Sequence, residues 1–88
     1  MTWRAEVRVM LKPSVNDPQG LSIRGALRSL GYADVSSVRA GKVIQVEFEA
    51  ATREAAEEAV RGMCEQLLAN PVIETYSFEL VESTAPVP

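Results

Sequence analysis

Residues 3–11 alternate without a break: Trp3, Ala5, Val7, Val9 and Leu11 fall on one side of an extended chain, and Arg4, Glu6, Arg8 and Met10 on the other. A period of two marks a strand with a single buried face. Such a strand belongs in an antiparallel sheet with one covered and one wet side. Every other segment must then either pair with this strand or cover its apolar side. Lys12-Pro13 ends it, because proline has no amide hydrogen to give to a ladder.

The rest of the chain supplies both. Asn16-Asp17-Pro18 reads as a helix start. The Asp17 carboxylate can accept from free first-turn amides, and proline is pre-set for the first helical position. Ile23, Ala26, Leu27 and Leu30 come next at helical spacing as an apolar stripe, with Arg24 and Arg28 on its flank. Gly20 and Gly25 lower helix propensity by about 1 kcal/mol each, but Gly31 sits where a left-handed C-terminal cap is wanted. Val35 to Ala40 predicts a short second strand, turning at Gly41 into a third over residues 43–50. In that third strand Ile44, Val46 and Phe48 oppose Gln45, Glu47 and Glu49.

Thr52 is placed to cap a second helix, with Glu54, Glu57 and Glu58 near its positive end. Ala56, Ala59, Val60, Met63 and Leu67 form its buried stripe, and Pro71 closes it after about Leu68. Tyr76, Phe78 and Leu80 line one face of a last strand within residues 72–81. The order β-α-β-β-α-β predicts an α+β domain over residues 1–82, a four-stranded antiparallel sheet with two helices on one face. Residues 83–88 read as a flexible C-terminal tail.

With 88 residues there is room for one thin core, so self-association is expected. A net charge of −3 argues against nonspecific nucleic-acid binding. An RNA-recognition domain of the same element order would need stacking aromatics on its central strands, where this chain has Arg4, Glu6, Arg8, Gln45, Glu47 and Glu49. There is no histidine, which excludes imidazole acid–base chemistry and His-ligated metals. Cys64 is the single cysteine, with no neighbour in sequence that would activate it, and reads as structural. The Glu54, Glu57, Glu58 group reads as a solvated helix start. No apolar run approaches the ~20 residues of a membrane span, and residues 1–6 lack the apolar stretch of a signal peptide. The expectation is a cytoplasmic chain with no catalytic residues, no bound metal and no bound cofactor.

Two kinds of role fit such a chain. Small regulatory domains of this element order bind ligands at dimer interfaces, and Asp17-Pro18-Gln19-Gly20 could serve as their glycine-bearing first loop. The other role is suggested by a collinear series of segments: Leu11-Lys12-Pro13, Asp17-Pro18-Gln19-Gly20, Leu30-Gly31-Tyr32, Val38-Arg39-Ala40-Gly41-Lys42, and the run from Met63 through Asn70-Pro71 to Glu74. Over roughly residues 3–80 this series resembles the PurS family, the small subunit of phosphoribosylformylglycinamidine synthase. The one marked departure is Ser14, where the family pattern mostly has glycine.

The resemblance implies a noncatalytic, homodimeric or tetrameric subunit. It would bridge a glutaminase subunit (PurQ) and a large synthetase subunit (PurL), the assembled enzyme using ATP and Mg to convert formylglycinamide ribonucleotide to formylglycinamidine ribonucleotide. The chain's loops supply the partner-binding candidates. Lys12, Pro13, Asp17, Gln19 and Gly20 lie in a proline-limited first loop with little entropy to lose on docking. Arg39 and Lys42 bracket the expected hairpin turn, placed to meet an acidic surface, and Asn70-Pro71 shapes the helix–strand corner. Trp3 and Tyr76 are placed for either the core or an interface, and the hairpin and last strand each offer an edge for self-pairing.

Overall fold

A computed structural model of the protein describes residues 1–83. Strand β1 (Thr2–Leu11) is followed by helix α1 (Pro18–Ser29), strand β2 (Gly41–Glu49), helix α2 (Arg53–Met63) and strand β3 (Glu74–Ser83). The sheet has the order β2-β1-β3 and both pairings are antiparallel. The alternating strand thus takes the centre. Ala5 lies between Val46 and Leu80, and Val7 between Ile44 and Phe78, so one face is a continuous apolar surface.

Helix α2 covers that surface. Its Ala56, Val60 and the following Cys64 are fully buried with Ala5 and Val7. Each buried valine contributes about 1.5–3 kcal/mol. Thr52 caps α2 by accepting from the Ala55 amide at 3.1 Å. Trp3 belongs to this core at 4% exposure, and its indole donates to the Ala50 carbonyl at 3.2 Å. The opposite face is wet and ion-paired: Arg4 meets Glu47 at 2.9 Å, and Arg8 meets Glu6 at 2.9 Å and Glu79 at 3.3 Å. Exposed pairs of this kind contribute at most ~1 kcal/mol each.

Four sequence expectations need correction. The sheet has three strands among the described residues, not four, because residues 35–40 pair with none. Their polar groups are taken by side chains instead: Arg24 donates to the Ser36 carbonyl at 3.0 Å, and the Ala40 amide donates to Asp17 at 2.8 Å. Gly41 therefore begins β2 rather than turning a hairpin.

The two helices also do not share a face. Helix α1 buries only Gly20 and contributes no side chain to the core. Its Leu21 and Arg24 side lies along residues 36–38, and the Ile23, Ala26, Leu27, Leu30 stripe is left uncovered, Leu30 being 74% exposed. The radius of gyration is 16.7 Å, against about 12 Å for a compact chain of this length.

The third correction lies past α2. Cys64–Leu68 form a π turn, closed by the Ala69 amide on the Cys64 carbonyl at 3.0 Å. The extra residue in the turn rotates the chain beyond it. Ala69 goes into the core, and Leu67, expected in the buried stripe, becomes 82% exposed. Last, Ser83, expected in the tail, is the final residue of β3 opposite Thr2; the remainder of that tail, 84–88, lies outside the described residues. No helix among the described residues is long and apolar enough to cross a membrane.

Candidate functional site

The partner-binding candidates gather at one end of the sheet, where β1 leaves and β2 and β3 enter. Asp17 organises it. One carboxylate oxygen accepts from the Gly20 amide at 2.9 Å and caps α1, while the other accepts from the Ala40 amide at 2.8 Å. Asp17 is 5% exposed, and these bonds hold its carboxyl below the usual range, the Gly20 amide first and the nearby Arg39 charge adding to it. Gly20 is required by close approach. A β-carbon there would collide with the Val38 carbonyl and the Asp17 carboxylate.

Arg39, though exposed, is engaged by the chain's own backbone. Its Nη2 donates to the carbonyls of Leu11 at 3.3 Å, Lys12 at 2.9 Å and Val15 at 3.2 Å. It thus buckles the first loop onto the segment before β2. On the other side the Lys12 amide donates to the Ile73 carbonyl at 2.8 Å. Asn70 shapes that corner: its side chain accepts from the Val72 amide at 3.1 Å, and its own amide donates to Glu74 at 2.7 Å.

The nine candidates therefore divide. Asp17 and Gly20, both buried, and Arg39 and Asn70, both exposed, hold the three segments together. Gln19, Lys42, Pro13 and Pro71 are exposed on the resulting surface, and the Gln19 and Lys42 side chains have no hydrogen-bond or ion-pair partner among the described residues. Lys12, half-exposed, enters through its backbone. An open hollow of about 490 Å³ lies between the first loop, the α1 root and residues 36–39. A smaller one of about 200 Å³ lies between Gln19, Lys42 and Glu74. The bracing role of Ser36 and Val38 was missed by sequence reasoning, because both act through backbone carbonyls, which leave no trace in residue identity.

Reactive chemistry is not assembled at this end. Cys64 is fully buried under α2, and burial, with the Glu65 charge adding to it, pushes its thiol upward, away from a nucleophilic thiolate. Among the described residues no three His, Cys, Asp or Glu side chains converge as a metal site. Tyr76 is half-buried on β3 and donates to Glu65 at 3.0 Å. What the site offers is a rigid, backbone-braced surface with a few outward polar groups.

Fold and site together define a small α+β domain whose distinctive feature is a sheet end braced by its own hydrogen bonds. The family model described as PurS, phosphoribosylformylglycinamidine (FGAM) synthase, matches residues 4–82. The chain belongs to the PurS family. It is 44% identical over 79 residues to the phosphoribosylformylglycinamidine synthase subunit PurS of Synechocystis, covering 90% of this chain and 79% of that one. The solved structure of Bacillus subtilis PurS matches with a TM-score of 0.81 at 44% identity, covering 91% of this chain and 99% of that one. A chain in the structure of PurLQS from Thermotoga maritima matches with a TM-score of 0.84 at 36% identity, covering 92% of this chain and 99% of that one.

Proposed function

We propose that this chain is the noncatalytic assembly subunit of phosphoribosylformylglycinamidine synthase in purine biosynthesis, joining the glutaminase subunit to the large synthetase subunit. The observation that carries this reading is the match to nearly the full length of a chain from the Thermotoga maritima PurLQS structure. The physical demand is clear. Ammonia released by a glutaminase is protonated in neutral water and ceases to be a nucleophile. An enzyme that passes it between subunits gains from closing the seams between active sites. A rigid chain with a pre-organised docking end meets that demand at little ordering cost.

In this reading the chain works as a homodimer in the cytoplasm. ATP and Mg are used by the synthetase partner rather than bound by this chain. A free-standing ligand-binding regulator is not favoured: both Asp17 oxygens, which such a loop would offer to a ligand, already accept from the chain's own amides.

The test is assembly. The purified chain is mixed with the synthetase and glutaminase subunits, glutamine and ATP or ADP, and the mixture is run on gel filtration. The expected result is a single complex containing all three. Three separately migrating species under those conditions would overturn the reading.

A further inference from the structure

Two arginines at the braced end of the sheet are held by backbone carbonyls rather than by carboxylates. Arg4, Arg8, Arg53 and Arg61 each pair with a glutamate. Arg24 and Arg39 form no ion pair among the described residues. Both border the open hollow of about 490 Å³ between the first loop, the α1 root and residues 36–39.

Each is pinned in a way that leaves donors over. A guanidinium offers five N–H groups in one plane. Arg24 enters from α1 and spends its Nε on the Ser36 carbonyl at 3.0 Å, which leaves its two terminal amino groups. Arg39 enters from the segment before β2 and spends its Nη2 on the carbonyls of Leu11, Lys12 and Val15, which leaves Nη1 and Nε. Side chains already pinned in this way lose little rotamer freedom when an anion arrives. The hydroxyls of Ser14, Ser36 and Ser37 and the side-chain amide of Asn16 line the same hollow. None of these four side chains has a hydrogen-bond partner among the described residues.

The charge and size of the hollow narrow its ligand. Asp17 also borders it, but both its oxygens are turned to the Gly20 and Ala40 amides. Two cations and one anion leave a balance of +1, on a chain whose net charge is −3. The lining suits an oxyanion, and it holds more donors than the two oxygens of a carboxylate can use. A phosphate ester carries about −1.5 to −2 in charge at neutral pH on three terminal oxygens, and guanidinium groups grip it bidentately. The volume is that of a small-molecule site rather than of a single ion. No aromatic side chain borders the hollow, so it has no platform for a base. Its hydroxyls and amide match the hydroxyls of a sugar.

We propose that this hollow binds a small sugar phosphate, the phosphate between Arg24 and Arg39 and the sugar hydroxyls against Ser14, Asn16 and Ser37. The site needs no other subunit, since every group in it comes from this chain, and it is independent of the assembly role.

The test is a titration of the isotope-labelled full chain with ribose 5-phosphate, followed by amide NMR in a buffer free of phosphate and sulfate. Saturating shifts are expected in residues 13–17, 24 and 36–39, at concentrations where sodium chloride of equal ionic strength produces none. Inorganic phosphate, which cannot use the hydroxyl-lined part, should bind several-fold more weakly. Arg24→Gln should weaken ribose 5-phosphate binding at least tenfold through the loss of charge-assisted bonds. Ser37→Asp should do the same by repulsion. Its exposed side chain has no packing to lose, and both arginines keep their carbonyl contacts. Should Arg24→Gln fail to fold, Ser37→Asp decides. Shifts that do not saturate, or that sodium chloride reproduces, overturn the site. Inorganic phosphate bound as tightly as ribose 5-phosphate overturns the sugar-phosphate assignment and leaves an adventitious ion only. Undiminished binding by either folded variant puts the ligand elsewhere and overturns the proposal as well.

Discussion

Asp17 and Arg39 hold one loop from opposite sides with opposite charges. The carboxylate accepts from the amides of Gly20 and Ala40 at 2.9 and 2.8 Å, and the guanidinium next to Ala40 donates back to the carbonyls of Leu11, Lys12 and Val15. Loop, helix root and strand entry are therefore one rigid unit, and its rigidity can be measured.

The Asp17 brace should be acid-labile. Its folded carboxyl is held below the ordinary value, chiefly by the Gly20 and Ala40 amides. A group depressed on folding stabilises fully above its unfolded pKa and loses that contribution as pH falls through its folded pKa. Asp17→Asn keeps one acceptor but turns an amide donor toward one of the two N–H groups. At pH 7 its melting temperature should lie several degrees below the parent's, and the gap should close as pH is taken below the carboxylate range. A gap of constant size from pH 7 to pH 3 would show that charge plays no part.

Gly20→Ala should be more costly than glycine-to-alanine in a helix usually is. Propensity alone would make it favourable by about 1 kcal/mol. The added carbon, however, meets the Val38 carbonyl and the Asp17 carboxylate, and overpacking of this kind costs about 1–3 kcal/mol. Urea unfolding of the two proteins decides the sign, and a stabilised variant would mean that residues 36–40 can yield.

These residues also mark how far the sequence could be read. The alternation of β1, the caps at Asp17 and Thr52 and the stop at Gly31 (φ +104°) all act within a few residues, and all stand in the structure as the sequence predicts. What failed was mostly non-local, the π turn after α2 being the local exception. Residues 35–40 have strand-like composition but spend their polar groups on Arg24 and Asp17. The α1 stripe is a correct helical pattern that joins no core cluster among the described residues. Leu67 keeps α-helical spacing in sequence, but the π turn displaces it. Arg39 and Lys42 look alike three residues apart, and only the fold separates the brace from the cation that has no partner among the described residues.

Cys64 should matter to stability and not to turnover. Its side chain is fully buried in the apolar core. Cys64→Ala should cost about 1 kcal/mol in lost contact area, and Cys64→Ser about 1–3 kcal/mol, because a buried hydroxyl would lack a partner. Glutamine-dependent synthesis by the reconstituted complex should be retained in both variants once they are folded and assembled. A large fall in turnover with assembly intact would assign the thiol a chemical role.

The two cations at the docking end should separate stability from assembly. Arg39→Lys keeps the charge but loses the fork that reaches three carbonyls. The loop should loosen by about 1–2 kcal/mol, and partner affinity should fall only as far as the loop does. Lys42 has no partner among the described residues. Lys42→Glu should therefore leave unfolding unchanged within about 0.5 kcal/mol and weaken association with the other subunits in a salt-dependent way, since a rim charge acts through steering and complementarity. Association of Lys42→Glu at parental strength in low salt would remove Lys42 from the docking surface and leave Gln19 and the two exposed prolines, Pro13 and Pro71, as its outward contacts.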